Sequence, residues 1–161
     1  MALFKKNNEP GIENVLKGDA LYDKIIDALK SQSYSYDEHK DNLFVQTGFR
    51  GDDLSITMFI KATDETGIVY FDCPLEFTVN ESSKGKLHEA INEINNSINL
   101  GAFTIVKDRI WFRYHHAPFA KLQTQDVAFL INLVAKTVDD HDGDLNKLNT
   151  QRVAVSNVMY G

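Results

Sequence analysis

The sequence is poor in the residues that usually announce chemistry. Its one cysteine, Cys73, cannot form a disulfide within the chain, which suits a reducing compartment. Only Pro10, Pro74 and Pro118 interrupt the backbone, and no Pro- or Gly-rich linker divides it. No stretch approaches the roughly 18 consecutive apolar residues of a membrane span. Lys5-Lys6 is followed by Asn-Asn-Glu-Pro-Gly rather than by the apolar run of a secretory signal, so a cytoplasmic location is expected. Basic charge is scarce too. With 17 Lys and Arg against 23 Asp and Glu, the net charge of −6 argues against general affinity for nucleic acid or anionic membrane. The serines lack the glycine-flanked elbow of a hydrolase, and Lys84-Gly85-Lys86 lacks the glycine before and the Ser/Thr after that a phosphate loop needs.

What the chain does have is strong patterning. Leu87, Ile91, Ile94 and Ile98 recur at helical spacing, and Gly101 follows where a left-handed residue is easiest to place. Phe103 and Ile105 then alternate with polar neighbours, Lys107-Asp108 can turn the chain, and Ile110, Phe112 and Tyr114 alternate back. Upstream, Asp19 is the expected cap of a first helix with Leu21, Ile25, Ala28 and Leu29 on its buried stripe. Period-two runs at Leu43–Arg50 and Leu54–Ile60, and a third around Ile68–Val79 that Pro74 is expected to bend or confine to an edge, make an antiparallel meander. Ser82 or Ser83 is the expected cap of the second helix, and Thr124 of a third bearing Val127, Leu130, Ile131, Val134 and Val138. The pattern predicts an α+β fold in the order α-β-β-β(-β)-α-β-β-α: a mostly antiparallel sheet of five or six strands with helices on one face. Residues 1–17 read as a flexible tail, 18–141 as a single domain, and 142–161 as a frayed or partly helical extension.

Asn92-Glu93-Ile94-Asn95, Gly101-x-Phe103 and Ile110-x-Phe112-Arg113-Tyr114 together resemble the YbjN family of bacterial proteins, linked to sensory-transduction regulation and related in fold to type III secretion chaperones. The resemblance runs over about residues 19–141. It implies a chaperone-like or regulatory protein-binding module, a homodimer by analogy with dimeric secretion chaperones, and no catalytic residue to transfer.

The expected apolar strand faces leave Phe44, Arg50, Phe59, Arg109, Trp111 and Arg113 on the opposite side of the sheet. Aromatic and arginine side chains dominate interface energetics, so these six are the candidate protein-binding or dimer face. An ordinary solvated face with arginines lying over aromatics is the competing reading. His115-His116 point to opposite faces of a strand and so do not share a metal ion. The Asp139-Asp140-His141-Asp142-Gly143-Asp144 run misses the spacing of a calcium loop and reads as a solvated helix end. Cys73 reads as a small buried hydrophobe. The expectation is therefore a non-enzymatic module with a protein partner and no cofactor, metal, nucleic acid or membrane. The alternative is a small-ligand sensor or enzyme with a pocket between sheet and helices, built around Asn92, Asn95, Tyr114 and His116.

Overall fold

The computed structural model describes residues 15–117 and 122–151, so the expected N-terminal tail up to residue 14 and the last ten residues of the expected extension lie outside the described residues. The elements are α1 (Gly18–Ser31), β1 (Tyr36–His39), β2 (Phe44–Arg50), β3 (Ser55–Ala62), β4 (Val69–Thr78), α2 (Lys84–Ser97), β5 (Ala102–Val106), β6 (Arg109–His116) and α3 (Thr124–Thr150). This is the predicted α+β order with four strands before α2. The strands form a six-stranded sheet in the order β1-β2-β3-β4-β6-β5, with β1–β2 and β5–β6 antiparallel. The chain divides into two compact units: Met1–Thr47 with Phe59–Phe71 and His115–Asn132, and Gly48–Met58 with Asp72–Tyr114 and Leu133–Gly161.

In the first unit the predicted stripe of α1 is buried, joined by Tyr22 and Ile26. The Tyr22 hydroxyl donates to Glu38 Oε2 at 3.4 Å; burial, reinforced by the charge of Glu38, pushes its pKa up to about 12. The helix starts one residue before the expected cap. Gly18 sits at φ +52°, its N–H donates to Thr63 O at 2.9 Å, and Lys17 occupies the cap position without a side-chain bond. Asp19 instead lies in the first turn, where its charge meets the positive end of the helix dipole. Val45, Thr47, Ile60, Ala62, Val69 and Phe71 are the buried positions of this unit's strand segments. Thr47 tolerates that place because its hydroxyl donates to Ser35 O at 2.8 Å.

In the second unit Ile56, Met58, Cys73, Leu75, Leu87, Phe103, Ile110, Phe112, Val134, Val138 and Leu145 are buried. Burial raises the Cys73 thiol far above its ordinary pKa, in keeping with the small-hydrophobe reading. Val106 pairs with Arg109, so Lys107-Asp108 is a two-residue hairpin turn, with Lys107 in the left-handed region at φ +58° that such turns require. Gly101 is also left-handed, φ +66°, and a Cβ there would meet the Phe112 ring at 2.5 Å and Arg113 O at 2.6 Å.

Three local expectations are corrected. Pro74 does not confine β4 to an edge: the strand lies between β3 and β6, and Val69, Phe71, Cys73 and Leu75 stay buried on both sides of the proline. Ser83 stands at the cap position of α2 but its hydroxyl donates elsewhere, to Asn149 O at 3.0 Å. The acidic run is not a solvated helix end. α3 continues through it to Thr150, and Asp142 extends the buried stripe that carries Val127, Ile131, Val134 and Val138.

Asn149 is the second polar residue of that stripe, and all its groups are used. Its Oδ1 accepts from Asn80 N at 2.7 Å, its Nδ2 donates to Thr78 O at 2.9 Å, and its own carbonyl accepts from Asn80 Nδ2 at 2.7 Å. The segment between β4 and α2 is thereby tied to the end of α3. Asn149→Ala removes the partners of the partly buried Asn80 N–H and Thr78 carbonyl, and a loss of about 1–2 kcal/mol in urea unfolding is expected.

Candidate binding face

The burial alternation of β2, β3 and β6 leaves all six candidate residues half-exposed or exposed. In β2 and β3, Val45, Thr47, Ile56, Met58 and Ile60 are buried while Phe44, Phe59 and Arg50 are half-exposed or exposed. In β6, Ile110 and Phe112 are buried while Arg109, Trp111 and Arg113 face outward.

The structure brings four of them together as two pairs, one in each unit. In the first unit Phe44 stacks on His39, with centroids 4.2 Å apart and 13° between the planes, and meets Phe59 edge-on at 6.4 Å. In the second unit the Arg113 guanidinium lies 5.4 Å from the Trp111 ring centroid, and its Nε is 3.4 Å from Asp72 Oδ1. A cation over an indole is attracted by the ring's negative face, and the guanidinium stays half-solvated and available. Arg109 stands at the hairpin turn, and Arg50 lines a cleft with Phe49, Ile56, Lys136 and Asp139.

Sequence reasoning missed the partners on this side. Asp72, Tyr70 and His39 face outward through the same alternation that placed Trp111, and Tyr70 meets His115 edge-on at 4.3 Å. Their signal was the parity of β4 and β1, which the expected bend at Pro74 and the brevity of β1 obscured. His115 is exposed against Tyr70, whereas His116 is half-buried and burial holds it below its ordinary pKa, with Asp126 opposing. The two imidazoles do face opposite ways.

The edge of the hairpin is equally informative. Asn95 on α2 donates from Nδ2 to Phe103 O at 2.9 Å and accepts from Phe103 N at 2.8 Å. Its side-chain amide occupies the two β5 backbone groups that a further strand would need there. Asn92, one of the residues suggested for a ligand pocket, is exposed. A cavity of about 530 Å³ exists instead in the first unit, at the ends of β3 and β4, lined by Asp41, Leu43, Lys61, Asp64, Glu65 and Tyr70 among others. None of Asn92, Asn95, Tyr114 and His116 lines it.

The model of a family described as T3SS (YopN, CesT) and YbjN peptide-binding chaperone 1 matches residues 39–150. The chain belongs to this family. Among solved structures it is similar to YbjN of E. coli, a candidate transcription regulator, with a TM-score of 0.59 at 13% identity over 78% of this chain and 90% of that one. At that identity the likeness is one of fold. No curated protein matches the chain. Membership in the YbjN and T3SS chaperone family agrees with the residues of α2 and the β5–β6 hairpin from which the resemblance was read.

Because Arg113 is half-solvated, its two contacts are worth little to folding. Arg113→Ala is expected to change stability by less than about 1 kcal/mol in urea unfolding. It should also shift the emission of Trp111, the only tryptophan, by removing the cation from its ring.

Proposed function

We propose that this member of the peptide-binding chaperone family is a non-enzymatic module that holds a segment of a protein partner on the outward side of its sheet. The observation that carries the reading is the Trp111–Arg113 pair on β6, an aromatic plate beneath a guanidinium that is half-solvated in a folded chain. Such pairs are the usual energetic centres of protein interfaces: the indole supplies apolar area with few torsions to freeze, and the guanidinium supplies directed hydrogen bonds. Closure of the β5 edge at Phe103 by Asn95 favours recognition through face side chains over addition of a strand at that point. Phe44 and Phe59 offer a second, aromatic contact set within their own unit. The partner is a peptide segment whose acidic or carbonyl groups can meet Arg113 and whose apolar side chains can lie on Trp111. A cytoplasmic location fits the free thiol and the composition.

The test is a peptide array of host proteins, followed by titration of the hits against Trp111 fluorescence and calorimetry. Trp111→Ala with Arg113→Ala is expected to weaken binding by about thirtyfold or more while leaving the unfolding transition in place. Undiminished affinity in that double variant would remove the face from the mechanism. Light scattering of the same variants separates the other use of the face: loss of a dimer in Trp111→Ala assigns it to self-association.

A further inference from the structure

Within the second unit, the contact between the β2–β3 turn and α3 is built largely from acidic side chains. The Asp52 N–H donates to Asp139 Oδ1 at 2.7 Å. Gly51, whose N–H is bonded to Leu54 O at 3.0 Å, lies so close to the helix that a Cβ there would fall 2.3 Å from Asp139 Oδ1. One helical turn further on, a Cβ on Gly143 would fall 2.0 Å from Asp53 Oδ2. Two glycines on opposite elements thus allow the Asp139 and Asp53 carboxylates to lie directly against the facing backbone. Beside this contact Asp142 is 1% exposed, and neither of its carboxylate oxygens makes a well-formed hydrogen bond, the neighbouring Gly143 N–H giving only weak support.

The groups facing Asp142 make its charged form costly from every side. Asp53 comes from the turn, Glu76 from β4 and Asp139 from α3 itself, all of one sign. The lysines on this part of α3 are paired at the surface, Lys136 to Asp140 at 2.8 Å and Lys147 to Asp144 at 3.2 Å. His141, the neighbouring residue on α3, turns its ring edge-on to Phe103 at 5.8 Å. Burial among charges of its own sign favours the protonated form of a carboxyl group and raises the pH at which it ionises.

We propose that Asp142 is a proton-operated clamp: protonated, it lets the β2–β3 turn sit against α3, and its ionisation loosens the turn and widens the cleft lined by Phe49, Arg50, Ile56 and Lys136. That cleft already measures about 220 Å³ and includes Arg50 of the candidate face. Burial, with the charges of Asp139, Asp53 and Glu76 adding and the Gly143 N–H opposing, pushes Asp142 up to about 6. The folded value exceeds the unfolded one, so the stabilisation is complete below the ordinary carboxylate range and is lost as pH rises through about 6. The clamp is closed in acid and slack at neutral pH.

Hydrogen exchange of the full chain, followed residue by residue by NMR and corrected for intrinsic rates, reads the clamp directly through the Asp52 amide. Its protection factor is expected to fall about tenfold between pH 5 and pH 8. In Asp142→Asn, which is neutral throughout, it should stay level. A level profile in the unaltered protein, or the same fall in the variant, overturns the proposal. Should the variant not fold, the side-chain carboxyl shift of Asp142 in the unaltered protein decides: a midpoint near 6 supports the clamp, and one within the ordinary carboxylate range refutes it.

Discussion

Two asparagine side chains, Asn95 and Asn149, stand in for backbone that the fold does not supply, and the geometry of the second unit depends on them. A buried N–H or C=O must find a partner or cost the unit its full desolvation penalty. Where β4 leaves the sheet and where β5 reaches its margin, no neighbouring strand is at hand. An amide side chain carries a donor and an acceptor at nearly the spacing of a peptide group, so one residue on a helix can close both valences of a strand position. Asn95 does so for Phe103, and Asn149 does so for Thr78 and Asn80. The hairpin that carries Trp111 and Arg113 is therefore pinned from α2 before any of its outward side chains come into play.

The outward side chains owe their position to alternation alone. Once Ile110 and Phe112 are committed to the core, Arg109, Trp111 and Arg113 have no inward option. The proposed binding role rests on their composition. A tryptophan under an arginine with a carboxylate beside it is a pre-assembled set of apolar area, cation and anion, held on a strand rather than on a loop. On the proposed reading, holding these groups on a rigid element would lower the ordering cost of binding.

Alternation and helical spacing were legible in the sequence because they repeat. The stripe of α1, the two-residue turn at Lys107-Asp108, the left-handed Gly101 and the outward set on β6 could all be read from residue type and spacing. What repeats only once could not. Asp142 looked solvent-facing because it sits among four other charged or titratable residues, and composition outweighed its place three and four residues from Leu145 and Val138. Its neighbours Asp53 and Glu76 are distant in sequence, so their convergence is a property of the fold. Ser83 and Asp19 were read as caps from residue type. The first is diverted to a carbonyl of α3, and the second is displaced by the glycine that ties α1 to the Thr63 turn. In both cases a tertiary hydrogen bond overrode a local preference.

The closed position on β5 bears on how such a protein survives its own clients. A sheet margin with free amides is a template on which extended chains stack, and a chaperone that meets unfolded segments is the protein most exposed to that hazard. With the Phe103 amide and carbonyl already taken, the ladder on that side is broken at its second rung. On the proposed reading, a captured segment would be gripped by its side chains and let go, without being drawn into a growing fibre.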